Sequence, residues 1–292
     1  MAKKTTTKSR PAAKSQGKAM KLAVIAAAAI LGLALLYFLF VRSNAPAPAT
    51  QSNANHASAN APAKLDTYEI VNSYPHDPQA FLQGLVWYDN GFYEGTGLEE
   101  GRSTLRRVEF PSGKVVKSIK LAPDLFGEGV ALVGDRLVQL TWKAHRGFVY
   151  DRDTFKLLRE FSYDTEGWGI TYDGKDLVMS DGSNTLTYLD TESFQPVRRL
   201  NVTWNGRPQD QLNELEYIEG EIWANIWQED YILRIDPETG RVKSYLDMKN
   251  LFPPQLRNGS EDVLNGIAYD PQSKRIFVSG KLWPRLFEIR VK

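Results

Sequence analysis

Gln83-Gly84-Leu85, Glu128-Gly129-Val130, Trp168-Gly169-Ile170, Asn213-Glu214-Leu215 and Asn265-Gly266-Ile267 are five copies of one pattern. Each sets a polar or aromatic residue and a small or acidic partner just before an apolar run. Their second residues lie 45, 40, 45 and 52 positions apart. A period of roughly 40–50 residues marks a propeller or a related repeat array. In a propeller the innermost strands converge on a central channel. The repeat therefore predicts a fold and places Gln83, Glu128, Trp168, Asn213 and Asn265 together at one mouth of that channel.

A second motif runs in register with the first. Leu105–Gly113, Phe148–Phe155, Leu186–Phe194 and Ile232–Gly240 each read as a strand ending in an Asp, Pro, Ser or Thr turn. Asp in such turns bonds its own backbone, and Gly accepts positive φ. A hairpin signal lies between the two motifs: Asn90-Gly91, Gly134-Asp135, Asp173-Gly174, Glu219-Gly220 and Gln272-Ser273. Together these give four strands per repeat. The last repeat stops after its third strand, at Leu286–Arg290, whereas Thr67–Tyr74 resembles an outer strand lacking a repeat of its own. The expected fold is all-β, a five-bladed β-propeller over 65–292 closed by its N-terminal strand. Closure removes the edges that open sheets expose.

What precedes the propeller has a different composition. Residues 1–21 carry seven Lys or Arg and no acid, and Leu22–Val41 is an uncharged run of twenty residues. At 1.5 Å per residue such a helix spans roughly the 30 Å hydrocarbon core of a bilayer. It is longer than the apolar region of a cleaved signal peptide. The expectation is a single N-terminal transmembrane helix acting as a signal anchor at a bacterial inner membrane. The basic tail then stays in the cytoplasm and the propeller is periplasmic. Residues 42–64 read as a flexible Ala/Pro/Asn linker.

Composition excludes several classes. Beyond Arg42 the chain holds 28 Lys and Arg against 35 Asp and Glu, a net charge of −7. Nucleic-acid binding needs the opposite footprint. There is no Cys and only three His, of which His76 and His145 fall in the folded part. Zinc sites want two or three such ligands at set spacings. No cofactor is expected, while a structural cation in the channel is left open.

Alternation along strands puts Phe81 and Phe126, two residues before channel positions, on the same face as Gln83 and Glu128. Trp142, Trp227 and Trp283 fall near equivalent positions after second strands. Trp87, Trp204 and Trp223 read as packing. The bland reading of the channel residues is a hydrogen-bonded plug of the axis. The sharper one is a small-ligand pocket with one carboxylate, Glu128, whose pKa burial would raise and Lys281 would offset.

The blocks Phe81–Leu85, Gly127–Gly129, Gly167–Gly169, Leu212–Tyr217, Trp223–Gln228, Val263–Ala268 and Gly280–Pro284 resemble the plant and bacterial glutamine cyclotransferases. The resemblance covers essentially all of 67–292, with Leu82 where Thr is common. It implies a five-bladed propeller that converts N-terminal glutamine of peptides and proteins to pyroglutamate with release of ammonia. It further implies a metal-free site at Phe81, Gln83, Phe126, Glu128, Trp142, Trp168, Asn213, Trp227 and Lys281, with Glu128 as general acid/base. A monomer is expected. The rival readings are a non-catalytic periplasmic scaffold and a metal-dependent propeller lactonase or hydrolase.

Overall fold

The computed structural model describes residues 61–292. The basic segment, the run Leu22–Val41 and most of the linker lie outside the described residues. Among the described residues no helix is long and apolar enough to cross a membrane.

In chain order the strands are β1 (Lys64–Asp66), β2 (Tyr68–Pro75), β3 (Leu82–Tyr88), β4 (Gly91–Thr96), β5 (Thr104–Glu109), β6 (Val115–Lys120), β7 (Gly127–Val133), β8 (Arg136–Thr141), β9 (Arg146–Asp151), β10 (Leu157–Ser162), β11 (Ile170–Tyr172) and β12 (Leu177–Met179). They continue as β13 (Thr185–Leu189), β14 (Pro196–Asn201), β15 (Thr203–Trp204), β16 (Arg207–Pro208), β17 (Leu212–Ile218), β18 (Glu221–Ile226), β19 (Tyr231–Ile235), β20 (Val242–Asp247), β21 (Leu264–Asp270), β22 (Arg275–Gly280) and β23 (Arg285–Val291). Five antiparallel sheets form from β3–β6, β7–β10, β11–β14, β17–β20 and β21–β23, the last completed by β2. These are five blades, and β2 pairs with β23 from Tyr68↔Val291 to Pro75↔Arg285. The ring closes as the truncated last repeat predicts.

Two additions account for the uneven spacing. A small hairpin of β15 and β16 turns at Asn205 and Gly206, both at positive φ. A one-turn 3-10 helix, Pro254–Leu256, sits between the last two blades.

The linker boundary needs correction. Lys64 is not linker: β1 pairs in parallel with β20 and makes blade four five-stranded. Asp66 secures it by ion pairs to Arg234 at 2.6 Å and Lys64 at 2.9 Å. Three residues are too few to show a strand period in sequence.

Apolar side chains fill the seams between blades. Leu82, Leu85, Phe92 and Phe277 pack the closing seam, where Trp87 stacks on Phe277 at 5.1 Å. Beside them His76, directly after β2, bonds Glu94 at 2.6 Å, and Arg106 bonds Glu94 at 2.6 Å and Asp77 at 2.8 Å. Burial by itself would raise the Glu94 pKa, but Arg106 and His76 outweigh it and hold the carboxyl at about 2. Burial alone would lower the His76 pKa, but Glu94 turns the shift upward, and His76 serves as a structural partner at the closure seam.

The turns after third strands repeat in detail. Gly113, Phe155, Phe194 and Gly240 all take φ between 59° and 71°. Phe in a left-handed conformation is strained. Phe155 and Phe194 are 4% and 2% exposed, so burial of each ring in a seam offsets that strain.

Candidate active site

The inner strands are not regular where the five-fold pattern falls. Four of them carry one extra residue against the neighbouring strand, between Leu82 and Gly84, Gly127 and Val130, Leu212 and Leu215, and Leu264 and Ile267. Such bulges re-aim side chains. In the third blade β11 begins only at Ile170. Ahead of it, Trp168 and Gly169 pair with Ser180 through backbone bonds of 3.0 and 2.9 Å. Each bulge carries the residue that the repeat places at the mouth.

The glycine of the pattern permits the convergence. A Cβ on Gly84 would lie 2.4 Å from the Val130 nitrogen, and one on Gly169 2.0 Å from the Asn213 oxygen. Neighbouring inner strands touch there, and Gly129 N–H donates to the Trp168 carbonyl at 2.8 Å.

Phe81, Gln83, Phe126, Glu128, Trp142, Trp168, Asn213, Trp227 and Lys281 line one cavity of about 270 Å³ at this mouth. The structure brings all nine sequence-derived site residues together. Gln83, Glu128, Asn213 and Lys281 are at least 95% buried and form the floor. The aromatics form the walls, with Trp227 at the rim, 39% exposed. Phe126 meets Phe81 at 6.2 Å and Trp142 at 5.6 Å, both edge to face, and Trp168 meets Trp227 likewise at 5.7 Å.

Gln83 Nε2 donates to Glu128 Oε1 at 3.2 Å. The Lys281 ammonium sits 4.9 Å from the Phe81 ring centroid. Asn213 holds a buried carboxamide oxygen that no side chain or backbone group among the described residues satisfies. Burial pushes the Glu128 pKa well above the usual carboxylate range; Lys281 opposes the rise and Glu166 adds to it. Burial also lowers the Lys281 pKa, against Glu128 and Asp262. Sequence left the contest between burial and Lys281 open, and burial wins.

Asn265 stays out of the cavity. It is fully buried, and its Nδ2 donates to the Leu82 carbonyl at 2.9 Å. It locks the last inner strand to the first. Trp283 is core: it packs on Phe252 at 5.2 Å, and its Nε1 donates to the Asp262 carbonyl at 2.8 Å. Glu214, which stands where the four other repeats have Gly, spans the axis. Its carboxyl accepts from Leu85 N at 3.3 Å and Ile267 N at 2.8 Å. This acid is plug. Among the described residues no group of three or more His, Cys, Asp or Glu is placed to hold a metal ion.

Glu166 escaped the sequence reading. Its Oε2 accepts from Trp142 Nε1 at 2.6 Å and from Trp168 Nε1 at 3.0 Å. The signal was available: Glu166 stands two residues before Trp168, as Phe81 and Phe126 stand two before Gln83 and Glu128.

A second cavity, about 470 Å³, opens at the other mouth among Trp87, Tyr172, Tyr217 and Tyr269. Glu216 is at its floor and accepts from Tyr269 N at 2.9 Å. Burial drives its pKa from 4.5 up to about 8, against the bonds from Tyr269 and Thr171. The folded state therefore holds this proton more tightly than the unfolded chain. That stabilisation is complete below pH 4.5 and is lost as pH rises through about 8. Water in the cavity moderates the size. Glu216→Gln, which mimics the protonated form, is expected to melt about 3 °C or more above the parent at pH 9, roughly 1 kcal/mol in a domain of this size. The two should melt together at pH 4. Thermal melts at both values decide it, and equal melting at pH 9 counts against a strained carboxylate.

The molecule is a closed five-bladed propeller that carries, at one mouth, an aromatic-walled pocket in which the Glu128 carboxyl and the Lys281 ammonium are buried. The family model of the glutamine cyclotransferases matches residues 43–291. The chain is 42% identical over 233 residues to glutaminyl-peptide cyclotransferase of Arabidopsis thaliana, across 78% of this chain and 72% of that protein. Its structure is similar to the crystal structure of Myxococcus xanthus glutaminyl cyclase, with a TM-score of 0.73 and 40% identity over 80% of this chain and 99% of that one. The chain belongs to the glutamine cyclotransferase family.

Proposed function

We propose that this protein is a glutaminyl-peptide cyclotransferase that closes N-terminal glutamine of peptides or proteins to pyroglutamate and releases ammonia. The observation that carries this reading is the buried Glu128, whose proton affinity is raised, inside an aromatic pocket open at one mouth. Family membership supports it.

The chemistry asks little beyond conformer selection and proton management. The neutral α-amine attacks the γ-carboxamide carbon, and the C–N bond to the amide nitrogen breaks. Glu128 takes the proton that the attacking nitrogen loses and gives it to the departing nitrogen, which leaves as ammonia. Glu128 ends as it began. Holding amine and carbonyl in contact removes most of the entropic barrier. The unsatisfied Asn213 oxygen accepts from the substrate amide or amine. Lys281 stabilises the oxyanion that develops on the carbonyl oxygen, and Gln83 orients Glu128. The aromatic walls hold the side chain and exclude water. A cavity of about 270 Å³ admits a chain end and rejects an internal glutamine.

No cofactor enters this scheme. We further infer that Leu22–Val41 anchors the enzyme in an inner membrane with the propeller in the periplasm, on the strength of that run and its basic flank.

The full chain, incubated with a Gln-initiated peptide, is expected to release ammonia at an unchanged rate in the presence of chelator. An N-acetylated version of the peptide, which lacks the nucleophile, should be inert. Absence of ammonia from the free peptide would leave the scaffold reading, and loss of activity with chelator would favour the metal-dependent hydrolase.

A further inference from the structure

Trp142 and Trp168 come from different blades, yet one atom orients both. Trp142 follows β8 in the second blade, and Trp168 precedes β11 in the third. An indole has a single N–H donor and no acceptor. Both of these donors end on Glu166 Oε2, at 2.6 and 3.0 Å. Each ring is held elsewhere as well: the Lys143 ammonium lies 3.8 Å from the Trp142 centroid, and Gly182 packs so closely on Trp168 that a Cβ there would sit 2.7 Å from the ring. Both indole N–H bonds, however, go to Glu166. Among the described residues Glu166 has no ion pair within 4.0 Å.

We propose that Glu166 is a positioning residue of this site: it fixes the two indole walls through one carboxylate oxygen and brings its carboxylate to bear on Glu128. The proposal rests on the reading of the pocket as the cyclisation site.

The charge has a direction of effect. The groups acting on Glu128 are Lys281, which favours its ionised form, and Glu166, which disfavours it. Burial raises the Tyr163 pKa to about 12, with the Glu128 charge a lesser contribution, and Gln83 donates to Glu128. With Glu166 in place Glu128 is the stronger base.

Glu166→Gln separates geometry from charge, because the amide oxygen still accepts an indole N–H. Two readouts need no turnover. One is the pair of indole N–H resonances, assigned with Trp142→Phe and Trp168→Phe. The other is the titration of Glu128, followed by its carboxyl carbon resonance. In Glu166→Gln both indole resonances are expected to shift together, and the Glu128 titration and the acid limb of kcat/KM to move to lower pH. Glu166→Ala, which frees both edges, is expected to lose about 10²-fold in kcat/KM. Unmoved indole resonances, or a Glu128 titration that stays in place, overturn the proposal. A Glu128→Gln enzyme that still cyclises would overturn the catalytic reading, while the resonances would still report on Glu166.

Discussion

Glu128→Gln is expected to lower kcat by about 10²–10⁴-fold, the usual contribution of a positioned acid–base group, with little change in KM. The substitution keeps size and shape, and the Gln83 Nε2 that now lies 3.2 Å from Oε1 can still donate to an amide oxygen. It removes only the proton. Stability should move the other way. The folded protein binds a proton at Glu128 more tightly than an ordinary carboxyl does, so ionisation at neutral pH costs stability. A neutral amide avoids that cost, and the variant should melt no lower than the parent at pH 7 and higher at pH 9. Turnover near the parent rate by a folded variant would sink the role given to Glu128. Low turnover with a depressed melt would point to damage instead. The opposed signs reflect a site that holds a group out of its preferred state for function.

Gly169→Ala is expected to be the most destabilising single methyl in the inner ring, at about 3–5 kcal/mol. Its Cβ would meet the Asn213 carbonyl oxygen at 2.0 Å, that carbonyl carbon at 2.8 Å and Glu214 Cα at 2.9 Å. All three are backbone atoms of the next blade, so no rotamer change relieves the clash. The inner strands must part, and Trp168 and Asn213 move with them, so activity falls alongside stability. Gly134 supplies the control: it turns at φ 60° with nothing within 4 Å of a built Cβ, and Gly134→Asn should cost no more than about 1 kcal/mol. Denaturant melts of the three proteins test this. A Gly169→Ala variant as stable as the control would mean that the blades do not meet as closely as the structure has them.

Much of the fold was legible because a propeller writes itself repeatedly. The hairpin turns, the Asp turns and the incomplete last repeat each recur in register, so an error in one copy is corrected by the others. The pocket was legible for the same reason, helped by resemblance. The five mouth positions came from the repeat, while Trp142, Trp227 and Lys281 gained their place among the site residues from the family. Singular features escaped. β1 is three residues long and pairs with residues 180 positions away, as Lys64↔Ser244 to Asp66↔Leu246 show, so no local pattern announces it. Glu166 looks like a surface acid until two tryptophans are seen to share it. The bulges were not foreseen either, since an extra residue shows only when two strands are laid side by side. Asn265 has the same sequence signature as Asn213, but its amide turns to the Leu82 carbonyl, and only packing distinguishes the two.

The short strand β1 has a mechanical meaning. Strand β1 forms the outermost edge of the fourth blade, four strand spacings from the inner strand β17, or about 19 Å. The next strand along the chain is β2, the piece that closes the ring. Any load applied at Lys64 would be borne first by β1 and by the Asp66–Arg234 bridge at 2.6 Å. Only when that edge has peeled away does load reach the clasp. A pull entering at Lys64 would thus meet β1 before the clasp, and the pocket lies on the far side of both.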